Sequence, residues 1–316
     1  MGLHYKLRAL LWLYHLKNAT PYEKMPPAEA RKAQVKSLGQ LDRFISFPNE
    51  SIFSSEDQQI AAENGEIKIR IYTPRKAEKL PVCLFFHGGG FVIGDVNTHD
   101  VTCRRLAKQA DCIVISVDYR LSPEFPFPIP SEDCYTATLW AYQNAATFGG
   151  DSAKMAVCGD SAGANLATVV AMMLRDRNAA CKLKYQALIY PTVDATLSEP
   201  SINTLAKGYL LTKSLMEWFM NHYIALDADR KNPYISPLFA KDLTGLPPAL
   251  VATAEFDPLK DEGKKYAQLL EKAGIPTVFK EYKGVIHAFL SMPKLLETTR
   301  ELERQIASEL KKAFQA

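Results

Sequence analysis

The stretch Met155-Ala156-Val157-Cys158-Gly159-Asp160-Ser161-Ala162-Gly163 decides how this chain is read. Residues 155–158 form a continuous apolar run, the pattern of a strand buried on both faces. Beyond Gly163 the period changes: Leu166, Val169, Val170 and Met173 fall on one face of a helix. Between strand and helix sits a G-x-S-x-G turn. A serine alcohol is a poor nucleophile unless it is exposed, held in place and served by a base. A sharp strand-to-helix turn exposes it, and Gly159 and Gly163 leave room where backbones approach too closely for a Cβ. The helix N-terminus adds free N–H groups and a partial positive charge. With Gly and Ser at roughly 7% each, the pattern arises by chance about 0.1 times in a chain of this length. Its place between strand and helix gives it meaning.

Working outward, residues 82–86, 112–117, 187–190 and 249–252 repeat the apolar run. Ile67, Ile69 and Ile71 alternate with polar residues, and Val278, Lys280 and Tyr282 hint at one more strand. Helical stretches lie over 98–110, 131–147, 162–176, 258–273 and 294–314. Such alternation predicts an α/β fold with a mostly parallel central sheet and helices on both faces. Two segments break the rhythm. Residues 1–50 read as helices interrupted by Pro21, Pro26 and Pro27. Residues 196–232 are helix-like and carry Trp218, Phe219, Met220 and Tyr223. Together they are expected to form a helical cap, 1–50 as its N-terminal part and 196–232 as its inserted part. That leaves 51–195 and 233–316 as the core. Ligands bind beyond the carboxyl ends of strands in open α/β sheets, which is where a lid belongs.

A nucleophilic serine needs a base. On the chain order Ser, Asp/Glu, His, only His222 and His287 lie downstream. His222 sits in the expected cap, whereas His287 follows the last candidate strand and the turn at Gly284. The histidine needs a carboxylate to hold its tautomer. Asp257 stands just past the run that starts at Ala249, ahead of a helix, with Glu255 and Asp261 as rivals. Asp160 adjoins Ser161 but should point away from the imidazole. His87-Gly88-Gly89-Gly90 follows the strand at 82–86, and its glycines let a backbone aim N–H groups at a substrate. Gly88 and Gly89, with the amide of Ala162, are the expected oxyanion hole. Gly88, Gly90 and Gly94 miss the dinucleotide-binding spacing, and no phosphate-loop Lys-Ser/Thr follows. His87 is expected to anchor this loop.

Composition narrows the classes. The chain has 316 residues, 47% apolar, with a formal charge of +3, ordinary values for a globular protein. No Lys/Arg block supports a nucleic-acid partner. The six cysteines are nowhere closer than nine positions (Cys103 to Cys112), so no CxxC zinc or redox pattern exists and a reducing compartment fits best. No stretch reaches the roughly 18 apolar residues of a membrane span. Leu3, Leu7, Leu10 and Tyr14 fall on one helical face, so the N-terminus reads as an amphipathic covering helix. Its Lys6 and Arg8 ahead of an apolar run resemble a signal peptide only weakly and leave peripheral membrane contact open. Asn18 and Asn49 head triplets of glycosylation type.

These motifs resemble the hormone-sensitive-lipase-like esterases of the α/β-hydrolase superfamily. The resemblance runs from about residue 65 to 290. It rests on His87–Asp95 (HGGGFVIGD), Tyr119–Glu124 (YRLSPE), Gly159–Gly163 (GDSAG), Asp257-Pro258-Leu259 and His287. It implies a hydrolase core under a helical cap, esterase activity on short to medium acyl chains, and no cofactor. It places Ser161, Asp257 and His287 in a triad and Gly88, Gly89 and Ala162 in the oxyanion hole. Some members are homodimers. The family often has Ala where Ser122 stands and Gly where Ala288 stands.

The expectation is therefore a soluble, cytoplasmic serine carboxylesterase acting on a small-molecule ester, with no metal and no nucleic-acid partner. Phe91, Trp218 and His222 are candidate substrate contacts. A true lipase or an amide or carbamate hydrolase would use the same site. Non-catalytic binding relatives lack the histidine, and His287 is present.

Overall fold

The computed structural model describes residues 2–16, 20–48, 50–225 and 230–316, without the side chains of Asp42 and Arg43. Asn18 and Asn49, which head the two glycosylation-type triplets, lie outside them. Eight strands run β1 (Ser54–Ala62), β2 (Gly65–Thr73), β3 (Leu80–Phe86), β4 (Ile113–Asp118), β5 (Gly150–Asp160), β6 (Leu183–Ile189), β7 (Ala249–Phe256) and β8 (Thr277–Ile286). The α-helices are α1 (Tyr5–Leu16), α2 (Pro27–Ile45), α3 (Asp100–Ala110), α4 (Ile129–Asn144), α5 (Ala162–Asp176), α6 (Pro200–Thr204), α7 (Lys213–Tyr223), α8 (Lys260–Lys272) and α9 (Glu297–Gln315).

The strands form one sheet in the order β1-β2-β4-β3-β5-β6-β7-β8. From β4 to β8 every pairing is parallel, while β2 runs antiparallel to both β1 and β4. The central strands are apolar along their length because both faces are covered. In β3, Val82, Leu84 and Phe86 point to one core, with α4, α5 and α8. Cys83 and Phe85 point to the other, with α1, α3 and α9. This is the period of two that any strand imposes. Across the second core Arg105 of α3 pairs with Glu303 of α9 at 2.6 Å, both side chains nearly buried.

The sequence reading missed β1. Its residues are Ser-Ser-Glu-Asp-Gln-Gln-Ile-Ala-Ala, and only Ile60 is buried. An edge strand has one neighbour and one wet face, so no apolar run marks it. The Asn64-Gly65 pair at its end was the available signal: Asn64 takes φ 57° and turns the chain from β1 into β2. All six cysteines are buried and none is in a disulfide. No described helix is long and apolar enough to cross a membrane. On α1, Leu7 and Leu11 are the buried residues, and Tyr14, expected on the covered face, stays 40% exposed.

Candidate active site

β5 ends in Asp160 and α5 begins at Ala162, so Ser161 alone makes the turn. It is held at φ 55° and ψ −119°, a region L-residues rarely adopt. Such strain, of order 1–3 kcal/mol, persists only where the surroundings over-determine it. Here the Ser161 N–H donates to Ile189 O at 2.8 Å, and Ser161 O accepts from Ala164 N at 3.1 Å. The turn is tight enough that a Cβ on Gly163 would lie 1.9 Å from Phe86 O. Glycine there is a requirement of β3 and α5 touching. Ser161 itself keeps partial exposure.

β7 and β8 deliver the other two groups. Asp257 follows β7, is fully buried, and accepts Leu259 N–H on Oδ1 at 2.9 Å. Its Oδ2 lies 2.7 Å from His287 Nδ1. A carboxylate can only accept, so Nδ1 carries the proton and the lone pair of Nε2 faces outward. That lone pair lies 2.9 Å from Ser161 Oγ. The rivals have other work. Glu255 accepts Gly284 N–H at 2.8 Å, and Asp261 accepts Ser201 N–H at 2.9 Å, tying α6 to the first turn of α8. His222 stays in α7, its ring 4.7 Å from that of Trp218. Ala288 sits at φ 63°, the left-handed conformation that favours glycine.

The expected oxyanion donors need one correction. Gly88 N–H already donates to Asp160 Oδ1 at 2.8 Å, so it is not free for a substrate oxygen. The amides of Gly89, Gly90 and Ala162 have no protein acceptor among the described residues. Besides Gly88 N–H, Asp160 is engaged by His99, whose Nε2 lies 3.2 Å from Oδ1. Burial alone would raise the Asp160 pKa, but the His99 charge and hydrogen bond and the Gly88 N–H bring it below its ordinary value. Burial disfavours the His99 cation, yet the facing Asp160 carboxylate and then Asp95 outweigh it, and its pKa is raised. His87 is buried, stacks on Tyr119 at 4.3 Å and points Nδ1 at Gly88 O at 2.8 Å. Burial, then the His99 charge, push its pKa down to about 4, so it is a neutral anchor of the loop.

Of the expected substrate contacts, Phe91 is buried with its ring stacked on Tyr223 at 3.7 Å. Trp218 packs edge-on against Phe219 at 5.3 Å. The side chain laid on the glycine loop is Phe219: a Cβ on Gly90 would meet its ring at 2.1 Å. One residue along a helix turns the side chain by about 100°, a step that residue types alone do not resolve. α2 also reaches the loop, with Arg31 Nε donating to Val92 O at 2.8 Å and Nη2 to Ser122 O at 2.7 Å. Two cavities, about 420 and 230 Å³, lie between α2 and residues 94–102, and neither is lined by Ser161, Asp257 or His287. Sequence reasoning also missed Glu262. It is buried in α8 and accepts the N–H of Val193 at 2.7 Å and of Asp194 at 3.2 Å, bracing the loop after β6.

A family described by the α/β-hydrolase fold matches residues 83–291, from β3 to just beyond His287. The chain belongs to the hormone-sensitive-lipase-like esterases of the α/β-hydrolase fold. An arylesterase of Saccharolobus solfataricus is 37% identical over 315 residues, 99% of this chain and 100% of that protein. A hyperthermophilic esterase from Pyrobaculum calidifontis superimposes with a TM-score of 0.93 at 44% identity, covering 99% of each chain. An ester-hydrolase from the metagenome of Lake Arreo, solved with a derivative of bipyridine phosphonate, gives 0.94 at 39%, covering 99% of this chain and 100% of that one. Within this family of α/β-hydrolases, the chain is a carboxylic ester hydrolase.

Proposed function

We propose that this esterase hydrolyses short- to medium-chain acyl esters through an acyl-enzyme on Ser161. The carrying observation is the unbroken hydrogen-bond line from Ser161 Oγ through His287 to Asp257, at 2.9 and 2.7 Å. Ser161 Oγ attacks the ester carbonyl carbon while His287 Nε2 takes its proton. Asp257 stabilises the imidazolium and keeps the ring in register. The carbonyl oxygen gains a negative charge and is held by the amides of Gly89, Gly90 and Ala162. Collapse breaks the bond to the leaving alcohol, which receives the proton from His287. Water then adds to the acyl carbon by the same route, releasing the carboxylic acid and restoring the serine.

The two irregular segments act as one cap over this site. Ser214 of the insertion donates to Glu23 of the N-terminal segment at 2.8 Å. Phe219 and Arg31 both press on the glycine loop. On this reading 1–50 and 196–232 close over a core of 51–195 and 233–316. Phe219 then bounds the acyl side of the site and limits chain length. Six buried cysteines, none in a disulfide, suit a cytoplasmic location. The test is a hydrolysis series of p-nitrophenyl esters from acetyl to palmitoyl, beside Ser161→Ala. A short- or medium-chain optimum that vanishes in a folded Ser161→Ala variant is expected. Retained turnover in that variant, or a long-chain optimum, would overturn the reading.

A further inference from the structure

Helix α1 is apolar on two opposite sides. The inner side carries Leu7 and Leu11, buried in the core shared with α3 and α9. The helix is fixed there: His4 N–H donates to Gly284 O at 2.9 Å, and Lys6 Nζ to Leu295 O at 3.0 Å. Tyr5, Arg8, Ala9, Trp12, Leu13 and Leu16 recur at the helical spacing and form the outer side, all exposed. Tyr5 is 70% exposed, Trp12 63% and Leu16 59%. Half of the large apolar side chains that stay exposed among the described residues belong to this one helix. Scattered exposed apolar residues need no explanation, but a contiguous stripe on an anchored helix does.

The composition of the stripe selects its partner. α1 contains Lys6, Arg8 and His15 and no Asp or Glu. A second copy packed two-fold along this helix would set Lys6 and Arg8 against their own copies, with no acid on the helix itself to pair them. Trp and Tyr, with an apolar body and a polar edge, favour the boundary between lipid and water. Basic residues beside them are attracted by anionic headgroups. We propose that the outer face of α1 docks this protein on an anionic lipid surface, with Trp12, Leu13 and Leu16 entering the headgroup layer and Arg8 facing the phosphates. The proposal is independent of the reaction at Ser161, since it concerns a face of the molecule that no catalytic step uses.

The test is co-sedimentation of the full-length protein with phosphatidylcholine vesicles, with and without phosphatidylglycerol, over a range of NaCl. Binding is expected to need phosphatidylglycerol and to weaken with salt. Trp12→Ser combined with Leu13→Ser should lower the partition coefficient by at least about tenfold. Arg8→Ser should lower it about fivefold, the equivalent of one basic contact. Both variants change exposed positions, and an unchanged melting temperature shows that they fold. The proposal fails if the wild-type protein does not bind phosphatidylglycerol vesicles at low salt. It fails equally if neutral vesicles bind as well, or if the Trp12/Leu13 variant binds like wild type. Self-association in sedimentation equilibrium that the same variant abolishes would assign the stripe to a second copy instead.

Discussion

Replacing Asp160 by Asn tests how the glycine loop is held at the nucleophile. The exchange keeps the shape and removes the charge. Asp160 Oδ1 accepts Gly88 N–H at 2.8 Å and lies 3.2 Å from His99 Nε2. Hydrogen bonds to a charged group contribute about 1.5–3 kcal/mol, against about 0.5–1.5 for neutral pairs. Loss of charge at two bonds therefore costs roughly 2 kcal/mol, because His99 sheds its proton and recovers part of the loss. Gly88 is covalently joined to Gly89, so loosening it moves a proposed oxyanion donor. Misplacement of about 1 Å at a reacting centre can cost about a hundredfold. A partial loosening should lower kcat about tenfold and leave KM for a small ester nearly unchanged, since the donors matter most once charge develops. The pH dependence has a defined sign. The raised His99 pKa gives stability that is complete below 6.5 and lost as pH climbs through the folded value. The lowered Asp160 pKa gives stability present above 3.8 and lost as pH falls through its folded value. The stability gap between wild type and Asp160→Asn should thus be widest from about pH 4 to 6.5 and shrink at higher pH. Urea unfolding over a pH series, with steady-state kinetics on p-nitrophenyl acetate, measures both. A variant that loses stability but keeps full kcat would refute the coupling of this carboxylate to the oxyanion loop.

Three further outcomes are expected from the same structure. Asp257→Asn should leave the near-ultraviolet circular dichroism spectrum intact and reduce kcat by about 10⁴-fold, because the wrong tautomer of His287 would face Ser161. Arg105→Ala leaves Glu303 buried beside α3 without its partner at 2.6 Å and should cost about 3–5 kcal/mol in urea unfolding. The double change Arg105→Met with Glu303→Leu should recover most of it. Burial drives the Glu262 pKa well above 4.5, so ionisation favours the unfolded chain and wild-type stability falls as pH rises above 4.5. Glu262→Gln should flatten that slope, which thermal unfolding at a series of pH values would show.

The central sheet was legible because its strands are buried on both faces, as in β3, where Val82 to Phe86 read as one apolar run. β1 was not, because its side chains are mostly wet and its partner is only β2. Ser161, Asp257 and His287 could be picked out since each stands at the carboxyl end of a strand, in the chain order the chemistry uses. The oxyanion loop was located but not resolved. Which of three glycine amides is free depends on where Asp160 points, and that follows from His99, twelve residues beyond His87, joining it across the loop. Phe219 was hidden by rotation: sequence gives an aromatic helix, not which ring meets Gly90. Glu262 carried no local signal, since an acidic residue near a helix start reads as a solvated first turn. Its burial is a property of the loop packed over it.

The most direct test of the account is the site of covalent attack by a phosphonate ester, which mimics the tetrahedral adduct and leaves the serine slowly. The protein is incubated with a p-nitrophenyl phosphonate and the modified peptide is mapped by mass spectrometry. Loss of esterase activity in step with a single phosphonyl group on Ser161 is the predicted result. Full activity after exposure, or inactivation with the group carried elsewhere than Ser161, would contradict it.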